Sequence, residues 1–180
     1  MPSPLQQAIE CLKIRDVAMR KTHALIADDY EPKYDPAIDD LAVQLMHVVR
    51  LGRVLEIEDG EQRLQVFQVY IDLGARWVRP EEVIEGELEK EGAEPAVLAQ
   101  IEATFVSEYE LTNELGKEAL DAFALKNASY HVWPYWREYL STQCTRMGLP
   151  KVVVPTVQFA SNHQQKGAFS TCDEGASAED

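Results

Sequence analysis

The chain has 180 residues and a hydrophobic fraction of 46%, enough for one domain with a real core. With 17 Lys and Arg against 31 Asp and Glu, its net charge is −14, which repels nucleic-acid backbones and anionic membranes and attracts basic partners. The mean hydropathy is −0.28, and no run approaches the roughly 18 apolar residues of a helical membrane span.

The start, MPSPLQQAIE, has neither a basic stretch nor an apolar run, so no secretory signal is expected. Cys11, Cys144 and Cys172 are odd in number and widely spaced. They support neither a disulfide framework nor a zinc site, and a reducing cytoplasm is the expected compartment. Pro2 and Pro4 argue for a loose N-terminus over 1–11, with a short helix possible from Leu5. Residues 14–27 read as a strand, with a helix as the alternative. Segment 28–40 (DDYEPKYDPAIDD) is a connector, because Pro32 and Pro36 bias the residues before them toward extended geometry.

Residues 41–57 alternate. Leu41, Val43, Leu45, Val49, Leu51, Leu55 and Ile57 share one parity and are expected on one sheet face, with Gly52 marking a bulge or bend. Asp59-Gly60 then reads as a hairpin turn. The second arm, 64–78, places Phe67, Val69, Ile71, Leu73, Ala75 and Trp77 on one face. Gln68, Tyr70, Asp72 and Arg76 fall on a half-solvated one. The Glu-rich segment 80–95 has too little apolar content for a core element and reads as an exposed acidic loop or a short solvent-side helix. Residues 96–112 suit a strand, because Thr104, Phe105, Val106 and Tyr109 favour the pleat, although a helical spacing is also present.

From Leu115 the period changes. Leu115, Ala119, Leu120, Phe123 and Ala124 predict a short helix ending near Asn127. A longer helix follows, with Ser129 as N-cap, Pro134 near its first turn, Gly148 at the C-terminal cap and Pro150 as the stop. Trp133, Trp136, Leu140, Cys144 and Met147 form its apolar stripe, widened by Tyr135 and Tyr139. The tail over 160–180 is polar and reads as disordered. Strands followed by helices predict an α+β fold, with helices on one side of a four-stranded antiparallel sheet.

No HExxH, GxSxG, phosphate-binding loop or GxGxxG is present, so the residues support no enzyme, metal or cofactor. A small-molecule enzyme would need His47 or His131 gathered with carboxylates in one pocket.

Val132-Trp133-Pro134-Tyr135-Trp136-Arg137-Glu138 resembles the aromatic-Pro-Tyr-x-Arg-Glu signature of the SecB family of protein-export chaperones. The likeness continues through Arg146, Leu149-Pro150 and Val157-Gln158-Phe159, and the strand pattern extends it over 12–159. Trp136 stands where the family has Ala, segment 80–95 resembles an insertion, and no second long helix follows Phe159. These departures resemble divergent SecB-like chaperones, including those serving toxin–antitoxin systems. The resemblance implies a cytoplasmic homotetramer, built as a dimer of dimers, that holds unfolded polypeptides without ATP or a cofactor. It also implies the SecA motor as a partner through its basic tail. The alternative is a chaperone dedicated to one client such as an antitoxin.

Apolar surplus nominates Leu51, Val54, Trp77, Phe123, Tyr130, Val132, Trp133 and Trp136 for client contact, with core or subunit interface as the competing role for each. Tyr135, Arg137, Glu138, Tyr139 and Leu140 are the oligomer-interface candidates. Asp72, Glu102, Glu108 and Glu110 are the candidates for an acidic partner-binding face.

Overall fold

The structure is a computed structural model that describes residues 2–50, 52–59, 62–80 and 96–154. The acidic segment from Glu81, the tail over 160–180, Phe159 and Leu51 lie outside the described residues. In chain order the elements are α1 (Pro4–Cys11), β1 (Leu12–Ile26), β2 (Ala42–Val49), β3 (Arg53–Asp59), β4 (Gln62–Val78), β5 (Ala99–Leu111), α2 (Lys117–Phe123) and α3 (Ser129–Met147). All strand pairings are antiparallel, in the order β1-β5-β4-β2, with β3 also on β4. The sheet is therefore four strands wide, and the helices cover one face. The expected α+β architecture holds.

The N-terminus is not loose. Pro4 sits in the first turn of α1, where its missing N–H costs nothing, and Gln6 N donates to the Ser3 hydroxyl at 3.2 Å. This helix packs on α2 and buries Ala8.

β4 is the central strand. Phe67, Val69, Ile71, Leu73, Ala75 and Trp77 are all buried beneath the helices, each large side chain contributing about 1.5–3 kcal/mol of burial free energy. Its other face departs from expectation. Gln68, Asp72 and Arg76 are buried although they point away from the helices. Neighbouring long side chains cover them and satisfy their polar atoms. Asp72 accepts from Thr104 Oγ1 at 2.7 Å and pairs with Arg50, while Arg53 Nε donates to Gln68 Oε1 at 2.9 Å.

The single strand expected over 41–57 is two strands. Arg50 N donates to Tyr70 O at 2.7 Å, whereas Arg53 stands opposite Gln68. The register therefore shifts by one residue between Arg50 and Arg53, as at a β-bulge. One extra residue reverses parity. Val43, Leu45 and Val49 lie on the helix face, opposite Trp77, Ala75 and Ile71. After the bulge, Val54 takes that face opposite Phe67, and Leu55 and Ile57 turn to the outer face. The hairpin appears as expected: Asp59 pairs with Gln62 across a two-residue connection.

The two helices expected after Leu115 are one run. A five-residue π-helical turn, Ala124–Ala128, joins α2 to α3 without a break. Ser129 is consequently helical rather than an N-cap, and Pro134 lies inside the helix. The end follows the local signals. Gly148 adopts φ 66°, and Leu149 N donates to Cys144 O at 2.9 Å.

The connector after β1 is pinned by a polar cluster. Tyr30 Oη donates to Asp35 Oδ2 at 2.9 Å, and Arg79 Nη2 meets the same oxygen at 2.9 Å. Burial and the adjacent Asp35 carboxylate push the Tyr30 hydroxyl up to about 12.

Candidate functional site

α3 packs over β5, β1 and β4. The helix face of the edge pair β2 and β3 extends beyond its cover, so Val43, Leu45 and Val54 remain 37%, 41% and 41% exposed. With His47 and Val49 between them, these residues line a ledge along β2 and β3, and the start of α3 rises beside it at His47 as a wall. His47 joins the two. It lies on the helix face of β2 opposite Leu73. Its Nε2 is 2.8 Å from Ser129 Oγ, and its ring stands edge-on to Trp133, with centroids 6.2 Å apart and an interplanar angle of 81°. Ser129 and Trp133 are one helical turn apart and share a face.

The two sheet edges differ. β1 carries Lys13, Arg15, Asp16, Arg20 and Lys21, and its ladder breaks register twice. Charges and bulges of this kind protect an edge from further pairing. β2, with the sequence AVQLMHVV, has no Lys, Arg, Asp, Glu or Pro and keeps one register throughout. Hydrogen-bonded pairs alternate along an antiparallel ladder. Because Arg50 bonds Tyr70, the N–H and C=O of Val43, Leu45 and Val49 face away from β4. Among the described residues, no strand pairs with that side of β2. The site therefore offers main-chain donors and acceptors next to apolar side chains.

The nominated residues separate into groups. Val54 belongs to the ledge, half-buried Trp133 to the wall, and Tyr130 is exposed in the same helical turn as Ser129. Trp77, Phe123, Val132 and Trp136 are buried in the chain's own core, as is Leu140 among the interface candidates. Their placement at a surface is corrected: α2 and α3 press on β4 and β5 there, and the apolar surplus is consumed inside the subunit. Tyr135, Arg137 and Glu138 are exposed, and Tyr139 is half-buried. The four carboxylates share the outer sheet face, but not as open acid. Asp72 is buried against Arg50, Glu108 accepts from Gln68 Nε2 at 2.5 Å, and Glu110 lies 3.5 Å from Arg15. Glu102 borders a depression that it shares with Lys21, His23 and Arg50. Val43, Leu45 and Ser129 were not nominated. The signal for the first two was the absence of charge in an alternating strand.

His131 contacts a core residue: its Nδ1 is 2.9 Å from Tyr109 Oη, and Phe123 stacks on it at 27°. Burial lowers the His131 pKa and pushes Tyr109 up to about 12. Burial likewise raises the Cys144 thiol, as suits a small core hydrophobe. Among the described residues, no three His, Cys, Asp or Glu are placed to hold a metal, and no helix is long and apolar enough to cross a membrane.

No model of a known protein family matches the chain, and no curated protein sequence matches it. Its fold does match a solved structure: the SecB-like chaperone Rv1957 of Mycobacterium tuberculosis, in complex with a ChAD peptide from the antitoxin HigA1. The TM-score is 0.56 at 17% sequence identity, covering 86% of this chain and 96% of that one. The antiparallel sheet with its long helix on one face thus shares the fold of that SecB-like chaperone.

Proposed function

We propose that this chain is a chaperone that holds extended, unfolded segments of other polypeptides without ATP. The observation that carries this reading is the uncharged, unbulged edge of β2 running beside exposed Val43, Leu45 and Val54. An extended client backbone would satisfy the outward N–H and C=O groups of β2, and every second client side chain would fall on the ledge. Main-chain bonding tolerates sequence variety, and binding only the unfolded state delays folding by mass action. The net charge of −14 favours clients with basic flanks. The SecB-like fold, and a neighbour of that fold solved with an antitoxin peptide, support a polypeptide client.

We further propose a cytoplasmic homotetramer built as a dimer of dimers, as the resemblance to the SecB family implies. Exposed Ile14, Met19 and Tyr135 are the apolar surface that such an assembly would cover. For the client, two readings compete. The neighbour's bound peptide favours a dedicated antitoxin chaperone. Export through a SecA-type motor would call on Glu102, Glu108 and Glu110, whose charge Arg15, Lys21 and Arg50 offset. The deciding experiment follows aggregation of a slow-folding client at stoichiometric chaperone without ATP. Wild type suppresses it, Leu45→Asp does not, and Lys13→Asp on the guarded edge does. A wild-type protein that leaves aggregation unchanged defeats the proposal.

A further inference from the structure

We infer that His47 is a positioning residue that sets the geometry of the client ledge; the inference rests on the chaperone reading above. β2 is an edge strand, bonded to the sheet along one side among the described residues, and α3 packs over its neighbours. The ledge and its wall therefore belong to two elements with little shared packing. His47 contacts both. Its Nε2 is 2.8 Å from the hydroxyl of Ser129, which is buried within the helix. A serine inside a helix ordinarily turns its hydroxyl back to the preceding turn's carbonyl. Here the oxygen lies at hydrogen-bonding distance from a side chain of the sheet.

The same imidazole stands edge-on to Trp133, so one residue of β2 engages two successive turns of α3. Two consequences follow. The separation between the edge strand and the helix is held by a directional bond rather than by apolar contact alone. The half-buried Trp133 ring is also held against His47, which Leu45 and Val49 flank on the same strand face. A site that receives varied clients can vary its contacts, but it needs a constant width for an extended backbone, and a short polar tether supplies one.

The chemistry predicts a division of effects. A histidine that merely fills space changes stability, and affinity falls only as folded protein is lost. A positioning histidine changes affinity while the fold persists. The test measures binding of a reduced, carboxymethylated globular protein, a permanently unfolded probe, to wild type, His47→Ala, His47→Gln and Ser129→Ala. Each variant is also taken through urea denaturation, with tryptophan emission assigned by Trp133→Phe. The expected result is about tenfold weaker binding for His47→Ala and Ser129→Ala. Partial recovery is expected in His47→Gln, which keeps a hydrogen-bonding group. Trp133 emission should shift in His47→Ala without any client. Unchanged binding in both alanine variants overturns the inference, as does an affinity loss that follows the urea midpoint across the series. If His47→Ala does not fold, Ser129→Ala and His47→Gln decide by the same criteria. Failure of wild type to bind the probe overturns the chaperone reading itself, and is thereby told apart from failure of the His47 inference.

Discussion

Gly52 and Phe67 pack so closely that a Cβ at position 52 would overlap the edge of the aromatic ring. The contact lies at the bulge that separates β2 from β3, where the chain reverses which side chains face the helices. Gly52→Ala forces either the ring or the bulge to move. A destabilisation of about 1–3 kcal/mol is expected, as for an overpacked core. Urea denaturation measures it, and Phe67→Leu in the Gly52→Ala background should cost less than Phe67→Leu alone. Additive costs would show that the two positions do not compete for space.

Trp136 is a core residue, packed at 6.1 Å from the Tyr139 ring centroid. Trp136→Ala should lower stability by about 3–5 kcal/mol. Client affinity per folded molecule should stay near wild type. A specific affinity loss in a fully folded variant would return Trp136 to the client site.

Asp72 illustrates how a carboxylate on the outer face becomes structural. Its side chain is 12% exposed, while that of its partner Arg50 is 66% exposed. The ion pair itself therefore contributes little, because solvent reaches the guanidinium. The part-buried Thr104 contact matters more. Asp72→Ala should cost about 1–3 kcal/mol through unsatisfied polar groups. Asp72→Asn should cost less, since an amide oxygen still accepts from Thr104. Equal costs in chemical denaturation would refute that division.

Burial lowers the His131 pKa below its ordinary 6.5. The unfolded chain therefore binds a proton at higher pH than the folded one. Stability is fully present above about pH 6.5 and falls as the pH drops from there toward the depressed folded value. Thermal midpoints between pH 7.5 and about 5 should decline on the acidic side, and His131→Asn should flatten that decline. An identical pH profile in the variant would assign the effect to other groups.

Much of the fold was legible because its signals are local. Alternation in β4 marked its buried face, β-favouring residues marked β5, and Asp59-Gly60 marked the hairpin. Gly148 and Pro150 ended the helix through one residue's positive φ and another's missing N–H. The candidate site was less legible. Val54 and Trp133 were nominated through apolar surplus, which cannot distinguish a ledge from a core. Val43 and Leu45 passed unnoticed because what distinguishes β2 is a lack of charge, and that has meaning only once the strand is known to lie at an edge.

The sequence by itself determined the class of fold, the order of the elements and the acidic character that selects among partners. These depend on periodicity, turn chemistry and charge, each a property of a short stretch or of the whole composition. Tertiary structure decided the rest. A one-residue register shift between Arg50 and Arg53 turned Leu55 and Ile57 to the outer face, and a π-helical turn carried Ser129 into the helix, within reach of His47. The packing of α3 on β4 consumed Trp77 and Trp136 while leaving Val43 and Leu45 open. The physical reason is that periodicity relates neighbours along a chain. Exposure depends on which element crosses above, and no stretch of sequence contains that alone.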